Sequence, residues 1–197
     1  MTRPRQARIE RTTKETAITL ALNLDGAGRY TVDTGMPFLN HMLELFAKHA
    51  LIDLALKATG DLAVDCHHTA EDIGLCLGQA LNAALGDRAG ITRYGSALIP
   101  MDDALSQVAI DLGGRPFLVY RVTHRQRKIG TFDLQLVEEF FRAFCVEGRF
   151  NLHAAQLYGQ EAHHAYESLF KAVARALRAA CARDPRMKGV PSSKGTI

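Results

Sequence analysis

The sequence predicts an α+β fold made from an internally duplicated unit. Each half is a mostly antiparallel four-stranded sheet with two helices, and the helices of both halves pack between the sheets. Three observations carry this. The motif His67-His68-x-x-Glu71 recurs as His163-His164-x-x-Glu167. Each copy opens an apolar stretch of helical period, with Ile73, Leu77, Ala80, Leu81 and Ala84 after the first and Leu169, Val173, Ala176, Leu177 and Ala180 after the second. Each is also preceded by alternating apolar segments and another helix, so the plan repeats over residues 5–92 and 93–185. A half of that size is small, and its helices need a partner face to bury. Residues 1–197 therefore read as one domain, with 186–197, rich in Gly, Pro, Ser and Lys, as a tail that is mobile unless something binds it.

In chain order, Arg8 to Arg11 is a short strand, and Thr16 to Leu24 alternates with Ile18, Leu20, Leu22 and Leu24 on one side. Gly26-Ala27-Gly28 turns the chain back into a strand carrying Tyr30 and Val32. Pro37 then stands where a helix opens, with Phe38, Met42, Leu45, Phe46 and His49 near one face. Ile52, Leu54 and Leu56 alternate, Gly60-Asp61 turns, and the chain runs into His67. The second half, from Arg93, has strands around Val108 to Leu112 and Phe117 to Val122, broken by Gly113-Gly114. After the polar stretch HRQRK, read as a solvated hairpin, Asp133 caps a helix carrying Leu134, Val137, Phe140, Phe141 and Phe144. A strand around Phe150 to Leu152 leads to His163. Glu139 falls where His41 stands in the first half: His41 lies 26 residues before His67, and Glu139 lies 24 before His163.

Apolar content of 47% and charged content of 23% suit a soluble globular protein. A net charge of +3 without an aromatic-rich basic module does not call for nucleic acid, though it suits a small anionic substrate. Cys66, Cys76, Cys145 and Cys181 form no C-x-x-C pair and read as reduced core cysteines. The N-terminal stretch lacks an apolar leader region, and no run approaches the roughly 18 apolar residues of a membrane span. A cytoplasmic location, with no membrane partner, is expected.

Imidazole and carboxylate are the usual ligands of Mn, Zn, Fe or Ni, and a helix puts residues i and i+4 on one face. His67 with Glu71, and His163 with Glu167, can each hold one ion. Adjacent helical residues diverge by about 100°, so His68 and His164 should each serve a different ion from their neighbours. The expected division gives one metal His67, Glu71 and His164, and the other His163, Glu167 and His68, with His41, and Glu139 if it is a ligand, completing the two sets. A lone His-His pair is ordinarily a helix cap plus a surface histidine; two copies with matched flanks are not.

At these residues the chain resembles the imidazoleglycerol-phosphate dehydratase family, lyases of histidine biosynthesis. The resemblance runs through RTTKET (Arg11 to Thr16), TGMPFLNHML, DCHHTAED, the Arg93 and GGRPF segments, EAHHAYESLFKAVARALR and the terminal PSSKG. Two residues depart from it: Glu139 stands where the family often has histidine, and Asn40 where aspartate is more usual.

The resemblance implies two Mn²⁺ per active site, a phosphorylated imidazole substrate, and a homo-oligomer of 24 subunits assembled from trimers, without the phosphatase domain that some members carry. It makes Glu15 the acid/base, since a positioned carboxylate can accept and return a proton. His41, His67, His68, Glu71, Glu139, His163, His164 and Glu167 become the metal set. It puts His49 near the substrate, and makes Arg93, Arg115, Lys171 and Lys194 contacts to the phosphate or another part of the substrate, with Ser192 and Ser193 adding hydroxyl donors. An imidazole ring held between two divalent ions can take the electrons that expel the hydroxyl beside it. Two other classes stay open on the residues alone. A structural metal protein would saturate its ions with protein ligands, and a dinuclear metallohydrolase would use a metal-bound water.

Overall fold

The computed structural model describes residues 4–197; Met1 to Arg3, part of the stretch read above for a leader, lie outside the described residues. The elements are β1 (Gln6–Thr12), β2 (Thr16–Asn23), β3 (Tyr30–Asp33), α1 (Pro37–Ala50), β4 (Asp53–Gly60), α2 (His67–Leu85), β5 (Tyr94–Met101), β6 (Ala104–Asp111), β7 (Phe117–Arg121), β8 (Lys128–Ile129), β9 (Phe132–Asp133), α3 (Leu136–Gly148), β10 (Asn151–Tyr158) and α4 (Ala162–Cys181). They make two four-stranded sheets, ordered β1-β2-β4-β3 and β5-β6-β10-β7, and a small β8-β9 hairpin.

The strands alternate as a half-buried sheet must, with Ile18, Leu20, Leu22, Leu54 and Leu56 inward in one and Val108, Ile110, Leu152 and Ala154 inward in the other. On those inner faces lie the helices. The first sheet carries α2 and α1, the second α4 and α3, and the layers meet where α2 packs on α3 and α1 on α4. Gly74 and Gly78 permit the first crossing: a Cβ at Gly78 would lie 2.7 Å from both the Gly148 nitrogen and the Phe144 carbonyl oxygen. Phe140, Phe141, Phe144, Phe150 and Phe170 fill the middle at 0–1% exposure. Truncating one such ring to Ala costs about 3–5 kcal/mol, against about 0–1 kcal/mol for a surface ion pair such as Arg8–Glu10. The helix layer therefore sets the frame on which the motifs sit.

The duplication is legible residue by residue. The buried set Leu39, Met42, Leu43, Phe46, Ala47 and Ala50 of α1 recurs 98 residues later in α3 as Val137, Phe140, Phe141, Phe144, Cys145 and Gly148. His41 and Glu139 thus occupy the same place on their helices. The β1–β2 register recurs in β5–β6 at an offset of 88, Gln6↔Asn23 becoming Tyr94↔Asp111.

Three local expectations are corrected. The chain after Gly26-Ala27-Gly28 does not pair back on β2; β3 runs parallel to β4, with Tyr30 opposite Leu54. Asp53 is the cause, since its Oδ1 accepts from the backbone N–H of Ala27 (2.9 Å) and Arg29 (3.0 Å), tying the loop to the start of β4. Asp133 does not cap α3. It is paired in the β8-β9 hairpin and accepts from Gln135 N–H at 3.1 Å, so the helix begins at Leu136, and HRQRK lies just before and in the first hairpin strand. The second sheet also has β5, whose inward residues begin with Gly95, seated against the Ala176 carbonyl of α4, so its apolar alternation is weak.

No helix among the described residues is long and apolar enough to cross a membrane. All four cysteines are free; Cys76, Cys145 and Cys181 are buried and Cys66 partly so, its thiol pushed up by burial.

Candidate metal centre

α2 starts at His67 and α4 one residue before His163, with a different device at each. Glu161 caps α4, accepting from His164 N–H at 2.8 Å, while Asp65 accepts from His67 N–H at 2.7 Å at the start of α2. The α1·α4 packing brings His41 alongside the second motif. His41, His163 and Glu167 offer three ligand atoms lying within 4.8 Å of one another. Glu167 Oε2 is 3.3 Å from His163 Nε2 and 3.5 Å from His41 Nε2. Its other oxygen accepts from Lys171 Nζ at 2.6 Å. Burial pushes the Glu167 carboxyl up, but the Lys171 hydrogen bond and charge and the His41 contact outweigh it, and the group is held below its ordinary value. Two imidazoles and a carboxylate aimed at one point are a donor set that fits a divalent first-row metal.

The quasi-equivalent residues do not close in the same way. His67 Nε2 lies 3.7 Å from Glu71 Oε2, but Glu139 turns to Arg142 at 3.5 Å, and no second group of three forms among the described residues. His67 and His68 diverge, their rings 6.0 Å apart and at 89°. His68 Nδ1 meets Asp61 Oδ2 at 2.9 Å, and His164 Nδ1 meets Asp103 Oδ1 at 2.7 Å. These bonds raise both imidazoles above their ordinary value and hold Asp103 well below its own.

Glu15 sits in the turn between β1 and β2, its Oε2 3.8 Å from His68 Nδ1. That turn is pinned to α2 by buried Asp72, which accepts from the Thr16 hydroxyl and pairs with Arg11 at 3.0 Å. Asn40 is turned to Thr34, accepting from its N–H at 2.9 Å and its hydroxyl at 2.6 Å, so it does not orient His41.

The expected anion contacts separate into two places. Arg93, Arg115, Ser192, Ser193 and Lys194 line one pocket of about 420 Å³ together with Arg149. Arg93 is held there by Asp111 at 2.7 Å and donates to the Pro191 carbonyl at 2.8 Å, so the tail lies across the pocket. Lys171 is at the metal-ligand cluster instead, and His49, two turns along α1 from His41, is lowered by burial and by Lys171 and Arg175. Sequence reading missed Asp61, Asp103, Asp72 and Arg149. Only Asp103 had a signal to find, since it stands 88 residues after Glu15 in the repeat.

Residues 34–177 match the family described as imidazoleglycerol-phosphate dehydratase. Over nearly its whole length the chain is similar to curated relatives of that description. One, from Geobacillus kaustophilus, is 54% identical over 193 residues, 98% of this chain and 99% of that one. Another, from Methylobacterium radiotolerans, is 55% identical over 194 residues, 98% of this chain and 100% of that one. The fold is similar to that of the crystal structure of the dehydratase from Staphylococcus aureus, with a TM-score of 0.83, 38% identity and coverage of 91% of this chain and 99% of that one. A structure from Pyrococcus furiosus gives 0.83, 36%, 96% and 100% for the same measures.

Proposed function

Because the chain belongs to the imidazoleglycerol-phosphate dehydratase family, and is therefore a hydro-lyase of histidine biosynthesis, we propose that it converts imidazole glycerol phosphate to imidazole acetol phosphate with two Mn²⁺ per active site. The observation that carries the metal reading is the convergence of His41, His163 and Glu167 on one point. His67 and Glu71 of the first half, with Glu139 of the second at His41's place on α3, are the counterpart set. His68 and His164 point away from their helix-mates, so they complete sites on other copies of the chain, giving the division His67, Glu71, His164 and His163, Glu167, His68. Sites closed this way support a closed assembly, in our reading 24 chains built from trimers. Operation in the cytoplasm belongs to the same reading and is supported by the four free cysteines, three of them buried.

When bound, divalent ions beside the substrate's imidazole ring take up negative charge there and make the neighbouring hydroxyl a better leaving group. The chain's residues do the rest. Glu15, on a turn held by Asp72, takes the carbon proton and returns a proton where the product requires it. Arg93, with its guanidinium fixed by Asp111, and Arg115, Ser192, Ser193 and Lys194 bind the phosphate, while Lys171 and His49 stand at the ring end of the substrate. The phosphate pocket shares no lining residue with the metal-ligand group, and in this reading a single substrate spans residues of neighbouring chains. The test is turnover of imidazole glycerol phosphate by metal-stripped protein with and without added Mn²⁺. Activity restored by Mn²⁺ is expected; hydrolysis of a phosphate ester instead would favour a metallohydrolase.

The tail gives a separate prediction. A segment lying across the anion pocket, with hydroxyl and ammonium groups at Ser192, Ser193 and Lys194, closes the phosphate site. Deleting residues 192–197 should raise KM by about tenfold or more, the size of one lost charge-assisted contact. Unchanged steady-state kinetics would make the segment a tail only.

A further inference from the structure

The two histidines that turn away from their helix-mates are each held at Nδ1 by a carboxylate, and the two halves achieve this from different loops. In the second half the carboxylate is Asp103, in the β5–β6 turn, whose other oxygen accepts from the N–H groups of Gln160 (2.6 Å) and Glu161 (3.0 Å). The position 88 residues earlier, in the β1–β2 turn, is Glu15. Glu15 does not take the corresponding bond; its nearest oxygen is 3.8 Å from His68 Nδ1. Asp61, just past β4, takes it at 2.9 Å. At the repeat's offset of 98 on that strand, the second half has Gly159, which has no side chain to offer.

A carboxylate on Nδ1 fixes that nitrogen as the proton-bearing one and leaves Nε2 as the ligand atom; at His164 that Nε2 stands 3.4 Å from Oδ2 of Asp102, in the same turn as Asp103. Asp61 serves little else. Its Oδ1 is buried without a partner, an arrangement that costs stability. We propose that Asp61 and Asp103 are positioning residues that present His68 and His164 through Nε2 to divalent ions, and that Asp61, by holding His68, keeps Glu15 free as the proton carrier. The duplication thus supplied two equivalent turn carboxylates, and only the one displaced from its histidine is available for chemistry. This rests on the metal reading above.

The experiment measures Mn²⁺ affinity by competition with a chelating dye for the unaltered protein and for Asp61→Ala, Asp61→Asn, Asp103→Ala and Asp103→Asn, with melting temperature alongside. The Ala variants should lose about 10–100-fold in affinity, and the Asn variants, which keep an acceptor for Nδ1, should recover much of it. Asp103→Ala also gives up two backbone contacts, whereas Asp61→Ala gives up none from its side chain, so the latter decides if the former melts early. With Asp61→Ala, turnover at saturating Mn²⁺ should also fall, because Glu15 can move onto His68; adding Glu15→Gln should then lower metal affinity further. Ala variants that bind Mn²⁺ as tightly as the unaltered protein, or Asn variants as weak as Ala, overturn the positioning role while leaving the metal reading standing. An unaltered protein that binds no Mn²⁺ overturns both.

Discussion

Glu15→Gln is expected to lower turnover by about 10²-fold or more while Mn²⁺ content and KM stay close to those of the unaltered protein. The size is that of a lost positioned acid/base, and the split between kcat and KM follows from where Glu15 stands. Gln keeps the shape of the side chain, and the turn that carries it is held by contacts of other residues: Thr13 Oγ1 accepts from Glu15 N–H at 3.1 Å, and Asp72 holds Thr16 and Arg11. Glu15 makes no hydrogen bond through its side chain to any residue of the metal cluster, so its loss should not loosen a metal. Steady-state kinetics with metal analysis of the same preparation decides the matter. Near-normal turnover removes Glu15 from the reaction, and a parallel loss of metal would recast it as a ligand.

How much of this was legible in the sequence depends on whether a feature is periodic along the chain. The motif helices, with Leu77 and Leu81 or Val173 and Leu177 on one face, announce themselves because burial and helical period coincide. The equivalence of His41 and Glu139 follows from the same periodicity in α1 and α3. Strand pairing does not show in alternation, which gives the face of Tyr30 and Val32 but not the neighbour; one carboxylate, Asp53, sends β3 to β4 instead of β2. Asp61 looked like a turn residue because turn chemistry and imidazole orientation use the same side chain. For Lys171 the sequence left phosphate and other substrate contacts equally open, because a cation's partner is a matter of three dimensions, and here the partner within the chain is Glu167. The metal sets are the deepest case. Helical divergence separates His68 and His164 from their neighbours, but the ions that the proposed division assigns to them would lie where chains pack, which one sequence does not display.

Removing the metal should therefore take away activity and particle mass together. If His68 and His164 complete sites on other chains, metal binding is part of the association free energy, and chelation should release trimers that reassemble when Mn²⁺ is returned. Acid should act in the same direction, since only neutral imidazole is a ligand, and protons displace metal as the pH falls below about 6. The metal-free chain responds with the opposite sign. The Asp61 hydrogen bond raises His68 and the Asp103 hydrogen bond raises His164, so each protonated pair adds stability that is fully present below the unfolded imidazole value of about 6.5 and is lost as pH rises through the raised folded value. Acid that empties the sites should thus leave smaller particles folded rather than denatured. Light scattering and far-ultraviolet circular dichroism across pH 5 to 8, with and without Mn²⁺, separate the two effects. A particle that keeps its full mass after chelation, or a fully active monomer, would show that each site closes within one chain.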